Sequence, residues 1–531
     1  MAHGRIWTAM CLSAALAPLA AKAEGPVAPP ITFLTWPAAS YQHYYETSNY
    51  IAESWRELGI EVTLNPQPFP SPMLGMWFTE RDFDVVMSVL SGSPARLDPE
   101  FFAVTQFIDA SAAPGGMNVG GFHSDEMERL HAEQRRLYDP EARRELIYRI
   151  QELIHDEQPE GLIASVINTM ALNTDVVKLD EYRASPDGLR SIWNLIRLEP
   201  VGAATDVRLG WTIDQDSWNP LTLRTLEDLD RVSLIYDRLV VTGPDGRPEM
   251  WAATAIEVVD DTTIEVTLRD DLVFNDGTPV TAEDVAFTFR FLKDNGAVYF
   301  RSVLSSLAAV EAGEGSVRFT LTGPSASFVS QALGLIPILP EHVWSEINDP
   351  ASHPNTEPVG SGPFNLAYWR QGQEISFTRK ADHFMEPRAD LLMIQYGSAE
   401  VLAAALRSGE IGVSLQPIVP TVVELFEDED HLQLIRAQSN GHMSARYNLA
   451  HPLLAQKAVR QALAHAIPRD MIIRDILNDD AVAIATPLVP VNAYWSHPGL
   501  EVPAYDLDRA RAILSEAGFT WDGDGRLRMP E

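Results

Sequence analysis

"YDLDRARAILSEAGFTWDGDGRLRMPE" occupies residues 505–531. Asp506 stands where a helix needs an N-cap acceptor, Leu507, Ala510, Ile513, Leu514 and Ala517 keep helical spacing, and Gly518 stops the helix. Asp522-Gly523 and Asp524-Gly525 then announce turns, and Arg526 begins the second arm of a hairpin. Such an ending predicts a strand to lead into. The expectation is that this strand lies elsewhere in the chain.

The front of the sequence supplies one. "ITFLTW" (31–36) is rich in β-favouring residues, a helix is expected near 45–58 up to Gly59, and "IEVTLNP" alternates as a second strand. "FDVVMSVL" (83–90) has the continuous apolar run of a buried strand. Amphipathic helices are predicted from Ser124, with Met127 and Leu130 on one face, and from Asp139-Pro140, with Leu146, Ile147, Ile150, Leu153 and Ile154. Residues 162–199 read as further short strands. From "VRLGW" (207–211) the chain is strand-rich: "TIEVTL" (263–268) and "VRFTL" (317–321) alternate, and Thr281 with Asp284 makes a capping box. Helices dominate again from about 452. The class is mixed α/β.

With 46% apolar and 21% charged residues, the 531-residue chain can fill several cores, so disorder is excluded as a class. Its net charge of −34 disfavours binding to nucleic acid or to an anionic membrane through general charge. Residues 1–23 read as a leader: Arg5 is the positive start, "MCLSAALAPLA" the apolar run and "AKA" the cleavage site, with the cut after Ala23. Cys11, the single cysteine, lies in that leader, so disulfides, thiolate catalysis and Cys-ligated metals are not expected in the secreted chain. No later apolar run approaches the roughly 20 residues of a spanning helix. The expected compartment is the periplasm.

Five stretches resemble the family 5 extracellular solute-binding proteins of ABC importers: "AIEVVDDTTIEVTLRDDLVFNDGTPVTAEDVAFTFRFL" (255–292), "IPILPEHVW" (336–344), "PVGSGPF" (358–364), "NLAHPLLAQKAVRQALAHAIPRDMII" (448–473) and "YDLDRARAILSEAGF" (505–519). They stand in family order over about 300 residues. In that family the "EAGF" helix runs through a turn into a strand, a helix and an "FD" strand. Here the same series is at the front, as "ITFLTW", the helix to "LGIEVTL", and "RDFDVVMSVL". The resemblance therefore implies a circularly permuted order, with "EPVGAA" (199–204) fusing the usual termini. Chain termini that lie close together at the surface make this physically permissible. A truncated chain with an unrelated front domain, or two fused halves that pair between molecules, are the alternatives.

What the resemblance implies is a two-lobe periplasmic binding protein fold, of the Venus flytrap type with an extra subdomain. The boundaries would be a signal peptide at 1–23, the first part of lobe II at 24–188, a crossing strand and permutation joint at 189–204, lobe I with its subdomain at 205–440, and a second crossing strand with the rest of lobe II at 441–531. Such a protein, expected as a monomer without a cofactor, closes on a solute and delivers it to membrane permease subunits of an ABC importer. An oligopeptide or dipeptide is the expected solute. An oligosaccharide binder, or a ligand-sensing or chaperone-like protein, is the alternative.

By resemblance the cleft is lined by "GWTIDQDSWNP" (210–220), "VGSGPF", the segment ending at Tyr447 and Asn448, and "MSVLSGSPARLDPE" (87–100). Candidate ligand contacts are Trp211, Asp214, Trp218, Asn219, Ser361, Tyr447, Asn448, Ser91, Ser93, Arg96, Asp98 and Trp193. For each single tryptophan the core-filler reading comes first, and Asp214 with Asp216 reads as a solvated edge. Peptide binders of the family use an acidic residue in the 87–100 region to hold the α-amino group, a charge-assisted hydrogen bond. Here Ser91, Gly92, Ser93 and Pro94 stand nearby, so that anchor is missing unless Asp98 reaches the cleft.

No G-x-S-x-G, H-E-x-x-H or P-loop occurs, so no catalytic motif is expected. "GSGPF" lacks the second glycine of a nucleophile elbow and reads as a tight turn. His123 and His131 read as surface histidines and "EDEDH" (427–431) as a solvated loop; dispersed histidines leave nickel open at this point.

Overall fold

The computed structural model describes residues 25–93 and 96–531. The leader, with Arg5, Cys11 and the cut after Ala23, lies outside the described residues.

A single 12-stranded sheet runs through the molecule and connects two separate apolar cores. At one end, Ile31–Thr35 lies between Val62–Pro66 and Val85–Leu90, parallel to both. At the other, Asp206–Trp211 pairs in parallel with Asp390–Gln395, which continues through Glu374–Arg379 to Phe364–Arg370. The middle is the 14-residue strand Glu160–Asn173. It pairs antiparallel with Leu432–Gln438 along one half and His442–Tyr447 along the other.

That long strand crosses between the cores. Ile163 and Ala164 belong to the core formed with Phe33, Val86 and Ala445, while Met170 and Leu172 belong to the core formed with Leu209, Trp251 and Leu391. Between them Val166, Ile167 and Asn168 are only half-buried, as expected where a strand leaves one apolar environment for another. The chain thus builds a contiguous lobe from about 167 to 439 and a composite lobe from the residues on both sides of it.

Two expectations are corrected here. Residues 190–198 are not a crossing strand: Ile192–Leu195 forms a short helix whose neighbours Leu189 and Trp193 pack in the contiguous core, and the crossing is made by Glu160–Asn173 with 432–447. The lobe boundary at 188 moves accordingly to about 167, because Met170, Leu172 and Val177 share a core with Val207 and Leu209.

Local signals hold. Ser124, Asp139, Thr281 and Asp506 each accept a hydrogen bond from a backbone N–H of the helix they cap, and Thr281 and Asp284 form the full capping box. The extra subdomain is a four-stranded antiparallel sheet, Ala253–Asp260, Thr263–Leu268, Ser316–Leu321 and Leu307–Ala312, against helix Ala282–Asp294. Phe289 of that helix meets Phe319 edge-on at 4.8 Å. The final hairpin, Thr520–Trp521 with Leu527–Arg528, makes one isolated bridge, from Arg528 to Val27, just before Ile31–Thr35.

Candidate functional site

The lobes touch along a seam away from the crossing strands. The Ser330 hydroxyl donates to Asp98 Oδ2 at 2.5 Å, Ala326 N–H donates to the Arg135 carbonyl at 2.9 Å, and Tyr138 Oη donates to the Asp261 carbonyl while accepting from Ser325 N–H. Arg136 pairs with Asp261 at 2.6 Å.

Against the crossing strands lies a cavity of about 260 Å³. The composite lobe contributes Tyr44, Val89, Leu90, Ser91 and Gly92; the crossing strands contribute Val166, Asn168, Ser439, Gly441, His442 and Met443; the contiguous lobe contributes Arg190, Leu226 and Glu227. It is the arrangement a closing cleft requires, since a solute held there touches both lobes and the hinge between them.

Its electrostatics are set by burial. His442 is 2% exposed, and neither ring nitrogen has a hydrogen-bond partner among the described residues. Burial pushes its pKa down to about 4, so the imidazole is neutral near pH 7. Glu160, on the neighbouring strand, is pushed up by burial but held net below the usual carboxylate range by Arg446 at 3.1 Å, with the Ser444 hydroxyl helping. Beside the cavity, Asp187 and Asp230 line a smaller void with Arg190 and Arg238. Burial raises them to about 6 and about 7 against the opposing effect of Arg190.

Of the residues the sequence singled out, Ser91 alone lines the hinge cavity. Trp211, Trp218 and Trp193 sit in the contiguous core, which decides between the two readings open for them: Arg231 stacks on Trp211 at 4.4 Å, Trp218 meets Trp369 and Phe377 edge-on, and Trp193 donates to the Thr242 carbonyl. Asp214 accepts from Gly372 N–H at 2.8 Å, and Asn219 donates to the carbonyls of Pro350 and His353. Both therefore fasten loops. Ser361 is buried in a turn where Gly362 N–H donates to the Ile235 carbonyl. Tyr447 is fully buried in the composite core, and Asn448 donates to the Phe83 carbonyl. The Ser93 carbonyl accepts from Asn440 at 2.9 Å, and Arg96 donates to the Ser91 carbonyl while stacking on Phe101.

Asp98 does reach the lobe interface, where it lines a second cavity of about 260 Å³, but it is already engaged. Arg143 grips both its oxygens at 2.8 and 2.9 Å and Ser330 adds a third bond. Burial alone would raise its pKa; Arg143 and these bonds hold it net below the usual range. It is a latch component, not a free ammonium anchor. Sequence reasoning missed His442, Arg190 and Glu227. The usable signal was His442, a polar residue opening the strand "HMSARY".

The family model for bacterial extracellular solute-binding proteins, family 5 Middle, matches residues 247–531, more than half of the chain. The chain belongs to this family. Protein XP55 of Streptomyces lividans is 32% identical over 334 residues, 61% of this chain and 59% of that one. The oligopeptide-binding protein AppA of Bacillus subtilis is 28% identical over 317 residues, 56% of each chain. The match thus spans just over half the length of these curated relatives. Solved family 5 structures include AppA of Bacillus subtilis with a nonapeptide (25% identity, TM-score 0.44, covering 61% of this chain and 66% of that one). Another is NikZ of Campylobacter jejuni with Ni(L-His) (21%, 0.46, 61% and 65%). Among the described residues no group of three or more His, Cys, Asp or Glu is placed to hold a metal ion, and no helix is long and apolar enough to cross a membrane.

Proposed function

We propose that this chain is the solute-capturing component of an ABC importer, taking up its ligand in the hinge cavity, closing over it, and presenting the closed lobes to membrane permease subunits. It acts as a monomer without turnover or cofactor, outside the cytoplasmic membrane after removal of its leader. The observation that carries this reading is the cavity itself, lined by both lobes and by the crossing strands. A peptide-type solute is favoured by relatives such as the putative peptide-binding protein of Brucella ovis, 33% identical over 265 residues.

The permuted order belongs to the same reading. It is supported by the pairing of Arg528 with Val27 and by Ala28 N–H donating to the Leu527 carbonyl at 2.8 Å, which put the "EAGF" hairpin beside the front strands. Rejoining the segments in family order, with residues 205–531 followed by 24–199, should give a protein of the same ligand specificity.

The test is native mass spectrometry of the chain from residue 24, purified without denaturation, before and after mild activation. Peptide masses support the reading, and hexose-spaced masses move it to an oligosaccharide. A chain that carries nothing, and is stabilised by neither peptides nor sugars, overturns capture and leaves a sensing role.

A further inference from the structure

We propose that closing the lobes takes up a proton onto the paired carboxylates of Asp187 and Asp230, so that acid favours the closed form and a rise in pH favours release. This rests on the reading of the molecule as a two-lobe capture protein, and adds a control on its closing.

Asp187 and Asp230 face a void of about 50 Å³ together with Ser185, Arg190, Ser233 and Arg238, all of the contiguous lobe. It has room for water and none for a solute. Leu97 is the composite lobe's part of the wall: it is 2% exposed, and its carbonyl accepts from Asn492 of the same lobe at 2.7 Å. A composite lobe that swings away therefore carries Leu97 with it and lets water reach the acids. With the lobes together the acids are poorly served. Among the described residues neither carboxylate accepts a hydrogen bond, Asp230 has no ion pair, and Arg190 meets Asp187 only at 3.9 Å. Arg231 donates to Gln215 and the Ile213 carbonyl, and Arg238, with Asp237 also beside it, donates to the Gly334 carbonyl. Glu227, from the first turn of helix Leu226–Ile235, adds a further negative charge facing Asp230. Tyr299 faces Asp230 and Glu227 as well, with Arg96 of the composite lobe in the same field.

Closing strips water from two like charges that share Arg190, and both effects disfavour the ionised pair. A proton relieves them, and because the carboxylates interact it belongs to the pair rather than to either acid. With the lobes together, burial lifts Asp187 to about 6 and Asp230 to about 7 against the pull of Arg190. With water in place of Leu97, both return towards the ordinary 3.8 of an aspartate. The closed form therefore holds the proton over a range of pH in which the open form has lost it. By linkage, the advantage to the closed form is full near pH 4 and is lost as pH rises to about 7.

The chain from residue 24 contains no cysteine, so Ala132→Cys on the composite lobe and Val259→Cys on the contiguous lobe, both exposed, take a donor and an acceptor dye that report closure. Free dipeptides and, separately, cello-oligosaccharides are titrated in at pH 5 and pH 7, and the concentration that half closes the lobes is read from energy transfer. For the mixture that closes wild type, that concentration is expected to be lower at pH 5 by about tenfold or more. Asp230→Asn should shrink the difference. Asp187→Asn combined with Asp230→Asn, an uncharged mimic of the protonated pair, should bring it within about twofold and close at pH 7 as readily as wild type does at pH 5. Melting temperatures without solute confirm that the variants fold. Equal or reversed concentrations in wild type, or a double variant that keeps the wild-type difference, overturn the inference while leaving solute capture intact. Transfer that answers neither mixture at either pH overturns closing on a solute and this inference with it.

Discussion

Gly92 and Gly441 stand back to back at the floor of the hinge cavity. A Cβ on Gly92 would lie 2.6 Å from the Gly441 nitrogen, and one on Gly441 would lie 2.4 Å from the Gly92 nitrogen. Two segments from opposite ends of the chain therefore approach through backbone alone. Gly441→Ala, which would also meet the Leu90 carbonyl at 2.2 Å, should cost about 1–3 kcal/mol by overpacking. The expected result is a lower denaturation midpoint and weaker solute binding; a variant with wild-type affinity would show that the floor does not shape the cavity.

Asp98 and Arg143 are both under 6% exposed in their side chains and joined at 2.8 Å. Arg143→Met leaves a buried carboxylate without its partner, and a loss of about 3–5 kcal/mol is expected. Asp98→Asn combined with Arg143→Met should recover part of it. A double variant as unstable as the single one would rule out charge as the cause.

Ser330 is a smaller test of the same place. Its hydroxyl is the contiguous lobe's bond to Asp98, and a hydrogen bond to a charged group contributes about 1.5–3 kcal/mol. Ser330→Ala should lower the unfolding midpoint modestly and shift the ligand-free protein towards open lobes. Small-angle scattering would register this as a larger radius of gyration.

Two buried groups give opposite pH dependences. His442 has its folded pKa lowered to about 4 from 6.5, so the unfolded chain binds the proton first. Its contribution is intact above pH 6.5 and is lost as pH falls towards 4. Stability of wild type relative to His442→Asn should decline across that window, with Glu160 and Arg446 as the facing charges.

Asp230 has its folded pKa raised to about 7 from 3.8, so the folded chain holds the proton longer. Its contribution is greatest near pH 4 and is lost as pH rises to 7. Asp230→Asn should therefore gain stability over wild type as pH is raised from 4 to 8, in the field of Arg190, Asp187, Glu227 and Arg231. Denaturant titrations across that range would reverse in order if burial were not the cause.

The caps at Ser124, Asp139, Thr281 and Asp506 were legible because a cap is decided within four residues. The strands at 31–35, 62–66 and 263–268 were legible from composition and alternation. Glu160–Asn173 was not, and read as short strands: its two ends are buried in different cores, which erases the period-2 pattern there and leaves only Val166, Ile167 and Asn168 half-buried. The family resemblance led to the fold, while of its candidate cleft residues Ser91 lines the hinge cavity and Asp98 the second cavity. Trp211 and Trp218 carry ring area that either a core or a ligand can cover, and only the packing with Arg231, Trp369 and Phe377 decides. Arg190, Glu227 and His442 meet across more than 200 residues of sequence, beyond the reach of any local pattern.

Because one uninterrupted strand has an end rooted in each core, neither half of the molecule holds a complete sheet when the other is melted. Frayed at residue 170, the strand loses its pairing with 432–438; frayed at 163, its pairing with 442–447. Heat or denaturant should thus take the two lobes apart in a single cooperative step, and amides at both ends of Glu160–Asn173 should share one hydrogen-exchange rate, that of global unfolding.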